Sequence, residues 1–249
     1  MDFIAVEKRD GIATITLARG KVNALNNQVV DEIRETLKSL ETDPETNAVI
    51  LTGRGKFFSF GFDIPEFLSF TREEFSDYLV NFTSLNAYLF LYPKPVVAAL
   101  NGHTIAGGCM VALACDRRVM ADGKGKISLN EIALGSSVMA GSTEMLRFWC
   151  GSANATQILY SGEMYSAEAA LGLGLVQEVA VEADLISRAR NVAADLASKH
   201  PAAFASIKSL LRKPMADDFM RRERTAIKEF VDIWYSEATW TNLRNVKIN

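Results

Sequence analysis

Chemistry in this chain concentrates in three short stretches. Lys56-Phe57-Phe58-Ser59-Phe60-Gly61-Phe62-Asp63-Ile64 and Asn101-Gly102-His103-Thr104-Ile105-Ala106-Gly107-Gly108-Cys109-Met110 each follow a run that reads as a strand, and the second enters a helical pattern. Glycines at a strand-to-helix junction let backbone N–H groups point outward at an anion or a polarised oxygen. Two such groups from separate loops would form an oxyanion hole. Taken singly, each stretch reads at least as well as a glycine turn that permits tight packing. The third stretch, Ser128-Leu129-Asn130-Glu131-Ile132-Ala133-Leu134-Gly135, sets one carboxylate in weakly polar surroundings. A solvated glutamate is the ordinary case. One flanked by Ile132, Ala133 and Leu134 is expected to be partly desolvated, which raises its pKa toward that of a useful base.

Strand and helix patterns alternate around these stretches. Phe3–Val6 and Ile12–Leu17 flank the turn dipeptide Asp10-Gly11 and read as a hairpin. Asn27–Leu40 carries an apolar stripe (Val29, Val30, Ile33, Leu37, Leu40) at helical spacing. Ala48–Thr52 and Pro95–Leu100 read as buried strands, Arg72–Leu91 and Gly107–Cys115 as helices. This alternation predicts parallel crossover units. From Gly141 onward the chain reads as helical: Leu185–Ser198, a helix opened by Pro201 and broken at Lys213-Pro214, and another over Asp217–Tyr235. The division expected is a mixed α/β core over residues 1–190 and a helical segment over 191–249.

Composition narrows the function classes. The 249 residues are 49% hydrophobic and 23% charged, with a net charge of −3. That balance belongs to a folded globular chain and leaves no basic excess for nucleic acid. Three cysteines at uninformative spacings point to a reducing compartment, the cytoplasm, rather than a disulfide framework. Two histidines argue against a multi-histidine metal centre. Met1–Asp10 has no signal-peptide pattern, Val246-Lys247-Ile248-Asn249 does not match a peroxisomal address, and no apolar run is long enough for a membrane span.

In this order and spacing the stretches resemble the crotonase (enoyl-CoA hydratase/isomerase) superfamily over nearly the whole chain. Leu17–Leu25 is similar to its nucleotide-side loop, Ser59–Ile64 to its first oxyanion loop, and Asn101–Cys109 with Cys115-Asp116-Arg117 to its second; Leu171–Val176 also matches. The resemblance implies an α/β fold, a spiral of repeated ββα units with a helical C-terminal segment. It implies a trimer or dimer of trimers, acting on an acyl-CoA thioester with coenzyme A as part of the substrate and no separate cofactor. By position, Phe62 and Gly107 would supply the oxyanion N–H groups. Val22, Ala24, Phe60, Gly61, Asp63 and Ile64 would meet the coenzyme A part.

The acidic residues select among reactions. Hydratases of the family carry a glutamate directly after Gly-Gly-Cys and a second at the position of Glu131; here the first is Met110. A thioether cannot activate water. One glutamate with an oxyanion hole suffices for a 1,3-proton shift, so the pattern resembles the Δ3,Δ2-enoyl-CoA isomerases, with Glu131 as the proton carrier. The second acid of dienoyl-CoA isomerases would fall near Met139. A hydratase, a decarboxylase (on coenzyme A or an acyl carrier protein) and a non-catalytic acyl-CoA-binding protein are the alternatives. Phe62, Phe67, Phe70, Met110, Val138 and Met139 are expected to line an apolar pocket suited to fatty acyl chains. His103 reads as a rim residue, Glu144 as an acid in the first turn of a helix, Cys109 and Cys115 as buried fillers. Lys208, Arg212 and Lys213 read as a solvated basic face, with contact to a coenzyme A phosphate as the alternative. Where many relatives have a third glycine stands Ala106, which fits if its φ is negative.

Overall fold

The computed structural model describes residues 2–246. Met1 and residues 247–249, including most of the tetrapeptide read for a peroxisomal address, lie outside the described residues. Strand β1 (Ile4–Arg9) pairs antiparallel with β2 (Ile12–Leu17). Asp10 and Gly11 between them both have positive φ, 51° and 73°, the conformation that a two-residue hairpin turn needs. Helix α1 (Asn27–Thr42) starts where the Asn26 side chain accepts from Val29 N. The remaining elements are β3 (Ala48–Gly53), β4 (Phe57–Ser59), α2 (Ile64–Phe67), α3 (Arg72–Leu91), β5 (Val96–Leu100), β6 (His103–Ile105), α4 (Gly107–Ala114), β7 (Arg117–Asp122), β8 (Ile127–Ser128), a 3-10 turn (Glu131–Leu134), α5 (Ala140–Ser161), α6 (Ala167–Leu173), β9 (Glu178–Val181), α7 (Leu185–Ala197), α8 (Pro201–Trp234) and α9 (Glu237–Arg244).

Two sheets organise these elements. The larger has the order β1-β2-β3-β5-β7-β9 and is parallel from β2 onward; the smaller has the order β4-β6-β8 and is parallel throughout. Three consecutive units (β3-β4-α3, β5-β6-α4 and β7-β8-α5) each give their first strand to the large sheet and their second to the small one. This is the spiral of ββα units. Because β4, β6 and β8 run parallel, the three loops that leave their C-terminal ends emerge on one side, the usual place for a ligand in a parallel sheet.

Both faces of the large sheet are covered, which is why its central strands are continuous apolar runs rather than alternating ones. Val49, Leu51, Ala98, Leu100 and Met120 join the main core. Ala48, Ile50, Val97, Ala99, Val119 and Ala121 pack instead under Leu185, Ala189 and Ala193 of α7. Position 190 falls inside α7, and the long helical segment proper begins at Pro201.

The C-terminal helices depart from the sequence reading at one point. Lys213-Pro214 does not break a helix: α8 runs unbroken over 34 residues with Pro214 inside it. Proline forfeits one backbone hydrogen bond, but Lys208, Arg212, Ala216 and Phe219 are buried on either side and hold the axis. Phe219, Phe230 and Trp234 cover this chain's own core. Apolar side chains left in the open include Ile207, Leu210 and Leu211 in the first half of α8, at 59%, 75% and 62% exposure. Among the described residues, no helix is long and apolar enough to cross a membrane.

Candidate active site

Each of the three loops at the end of the small sheet delivers one group. After β4 the chain passes Phe60 and Gly61 to Phe62. Loop residues before α1 fix this stretch: Phe60 N donates to Val22 O (2.9 Å), Leu25 N to Gly61 O (2.8 Å) and Asp63 N to Leu25 O (3.2 Å). Asn23, a residue the sequence reading passed over, is buried with φ of 50°, and its Nδ2 donates to the carbonyls of Arg54, Phe57 and Phe58. Asp63 is committed to architecture: it caps α2 through Glu66 N (3.2 Å) and pairs with Arg19.

After β6 comes Ala106, whose φ is +47° and ψ −117°. The expectation of a negative φ is therefore wrong. Ala106 N donates to Ser128 O (2.8 Å) and its carbonyl accepts from Met110 N (3.0 Å). These bonds hold a sparsely populated conformation that costs on the order of 1–3 kcal/mol and set the angle at which α4 begins. Gly61 has φ of +92°, and a Cβ there would stand 2.9 Å from Gly107 N, so only glycine lets the two loops meet. A Cβ on Gly107 would strike the Phe62 ring at 3.0 Å. The N–H groups of Phe62 and Gly107 thus belong to touching loops, and neither finds an acceptor among the described residues. Buried backbone donors are rarely left so.

After β8 the 3-10 turn carries Glu131, which is 6% exposed. Of the three flanking apolar residues, Ile132 and Ala133 are exposed and only Leu134 joins the lining around the carboxylate. Burial comes from across the fold: Glu131 lines a cavity of about 170 Å³ whose apolar walls include Phe60, Phe62, Ile64, Ile105, Phe230 and Trp234. Among the described residues no other residue hydrogen-bonds either carboxylate oxygen. Desolvation pushes the Glu131 pKa up to about 8, opposed only by its own backbone N–H. Ala106, Asn130, Leu134, Ser136 and Val246 complete the lining, and Glu131 is the one ionisable side chain among these residues.

Three parts of the sequence reading therefore meet in one place: Phe62, Glu131 and the start of α4. Phe60 and Ile64 join them as cavity walls, whereas Val22, Ala24, Gly61 and Asp63 shape the loops behind. The expected pocket wall needs correction. Phe67, Met110 and Met139 are buried in the core, and none of them lines the cavity, nor do Phe70 and Val138. Phe67 instead supports the Phe62 ring edge-on at 5.9 Å. The wall that replaces them comes from the end of α8, about a hundred positions from Glu131 along the chain.

Other candidates resolve as architecture. Glu144 stands beyond the first turn of α5, where it pairs with Arg147 (3.2 Å) and Arg222 (2.9 Å). His103 lies beside the Phe57 ring at 5.1 Å. Lys208 and Arg212 are not a solvated face: both are buried and pair with Asp116 at 2.8 and 3.0 Å. Lys213 is exposed and pairs with Asp217. Cys109 and Cys115 are buried free thiols, as expected.

Known proteins share the sequence pattern and the fold of this chain. The sequence pattern of the enoyl-CoA hydratase/isomerase family matches residues 7–238. A "probable enoyl-CoA hydratase" of Bacillus subtilis is 33% identical over 239 residues, spanning 95% of this chain and 92% of that one. The mitochondrial enoyl-CoA delta isomerase 1 of Mus musculus is 32% identical over 230 residues, spanning 92% and 80%. The crystal structure of human mitochondrial Δ3-Δ2-enoyl-CoA isomerase superimposes with a TM-score of 0.93 at 27% identity, covering 98% of this chain and 96% of that one.

Proposed function

The chain belongs to the enoyl-CoA hydratase/isomerase family, and we propose that within it the protein moves a double bond of a 3-enoyl-CoA thioester to the 2-position. The observation that carries this reading is that Glu131 is the one ionisable side chain lining the cavity among the described residues. A proton shift between C2 and C4 needs a single group that takes a proton and returns it. The Glu131 carboxylate removes a proton from C2, and the electron pair moves into the thioester carbonyl as an enolate. The Phe62 and Gly107 N–H groups stabilise that oxygen more strongly as its charge grows, which lowers the barrier rather than merely tightening binding. The enolate collapses, the double bond shifts to C2–C3, and the Glu131 carboxyl delivers its proton to C4. The neighbouring loop with Val22 and Ala24 would receive the coenzyme A part.

A second reading, hydration of a 2-enoyl-CoA, is favoured by the name of the Bacillus subtilis relative and by Asn130 and Ser136, which could hold a water beside Glu131. Supplying 3-enoyl-CoA and 2-enoyl-CoA separately to the protein distinguishes the two. Isomerisation with slow hydration supports the proposal; brisk hydration without isomerisation contradicts it. Exposed Ile207, Leu210 and Leu211 support self-association as a trimer or a dimer of trimers, and the free cysteines support a cytoplasmic setting.

A further inference from the structure

Among the described residues, seven buried side-chain polar atoms have no hydrogen-bond partner, and five of them belong to residues that line the Glu131 cavity. Two are the Glu131 oxygens. The others are Asn130 Oδ1, Ser136 Oγ and Trp234 Nε1. Leaving such atoms unpaired costs more than an ordinary hydrogen bond contributes, so their gathering in one cavity calls for a ligand explanation. Away from the cavity, Asn23 Oδ1 and Asn86 Oδ1 are the other two, each alone, and Trp149 Nε1, for example, donates to Leu113 O at 2.8 Å.

Their placement is fixed from both sides. Asn130 and Ser136 flank the 3-10 turn, which Ser136 N closes by donating to Glu131 O at 3.0 Å. Trp234 ends α8, stacked on Phe230 with centroids 5.9 Å apart. Thr239 of α9 then ties that end of the chain to the turn by donating to Gly135 O at 2.7 Å. A wall meant only for an alkyl chain would need no more than the phenyl ring that Phe230 already supplies.

We propose that the cavity is a subsite for a hydroxylated acyl group, with the chain hydroxyl bound by Trp234, Ser136 and Asn130. The indole N–H can only donate, the amide oxygen can only accept, and the serine hydroxyl does both. An unsubstituted chain leaves all three unpaired. A carbonyl would accept from Trp234 and Ser136 but leave Asn130 Oδ1 without a donor. A hydroxyl satisfies donor and acceptor together. Water has the same chemistry, but a water in that place would serve every acyl chain alike. The proposal rests on the reading that this cavity receives the acyl part of a thioester.

The test uses pairs of saturated acyl-CoA esters of equal length, one plain and the others hydroxylated at successive chain positions. Binding is measured by calorimetry to the whole protein and to its Trp234→Phe and Ser136→Ala variants. One hydroxylated isomer should bind roughly 10–100-fold more tightly than the plain ester, and that ratio should fall toward one in each variant. Equal binding of the plain ester and every hydroxylated isomer overturns the proposal in favour of water. A preference that survives in both variants also overturns it. These esters carry no double bond, and the hydroxylated series starts beyond C3, because a 3-hydroxyacyl ester is the product of the hydration reading, so the result is independent of the reaction. Absent turnover of 3-enoyl-CoA would remove the isomerase reading and leave the subsite standing. Absent binding of every ester would remove both.

Discussion

Asp116 and Glu131 are both buried carboxylates, 8% and 6% exposed, and their surroundings are opposite. Asp116 accepts from Lys208 Nζ (2.8 Å) and Val96 N (2.7 Å) and pairs with Arg212 (3.0 Å). Arg212 in turn donates to Phe90 O (2.9 Å) and lies over the Phe90 ring. The cluster ties α8 to β5 and to the start of β7. Glu131 has no such partners, and its neighbours Asn130 and Ser136 also hold unpaired oxygens. Burial of charge therefore does not mark a site by itself. Where every polar group is paired inside the protein, the charge serves the fold. Where they are left unpaired around a cavity, the protein forgoes stability in favour of a ligand.

This contrast can be broken by substitution. Asp116→Ala leaves two buried cations without their counter-ion, and removing one partner of a buried pair costs about 3–5 kcal/mol. Urea unfolding should show that loss; a change below about 1 kcal/mol would mean that the cluster is less committed to the fold than its geometry implies.

Glu131 should behave in the reverse sense. Its pKa rises from 4.5 to about 8 in the folded chain because burial disfavours the charge. The folded state therefore holds a proton that the unfolded chain releases, and stability falls as pH climbs from about 4.5 to about 8. Glu223 adds a similar slope up to about 7, since burial outweighs the bonds it accepts from Gly141 and Ala140 at the start of α5. Glu131→Gln should remove the upper part of this slope. The variant should be more stable than the parent by about 1–3 kcal/mol at pH 9 and lose that advantage at pH 5. Parallel stability curves for the two proteins would contradict a desolvated carboxylate.

A smaller effect tests the strain at the site. Ala106→Gly removes the Cβ from a residue held at φ of +47° and should stabilise the chain by about 1 kcal/mol. Thermal unfolding reads it. Destabilisation would show that the alanine methyl contributes packing worth more than the strain.

Much of this was legible in the chain, and what was not has physical reasons. Ala48–Gly53 and Arg72–Leu91 were readable because apolar runs and helical periodicity are local signals. Glu131 and the two glycine loops were singled out by the family resemblance of the stretches in their order and spacing, since each alone reads as an ordinary turn or a solvated acid. Strands β4, β6 and β8 were not, since two or three residues carry no period. The pairing of Asp116 with Lys208, 92 positions away, has no local trace. The cavity wall was misassigned to Phe67, Met110, Val138 and Met139 because nearness in sequence stood in for nearness in space; Phe230 and Trp234 arrive through the packing of α8. The positive φ of Ala106, which its residue type argues against, goes with a long-range bond to Ser128 O and with the first turn of α4.

The central claim is that the unpaired Glu131 carboxylate carries the proton. Turnover of 3-enoyl-CoA by Glu131→Gln against the parent protein tests it most directly, with binding of a saturated acyl-CoA as the control for an intact site. Gln keeps the shape and removes the base. Turnover should fall on the order of 100- to 10,000-fold while binding changes little. A variant that keeps turnover within about tenfold of the parent would fall below the range of general-base catalysis and contradict the account.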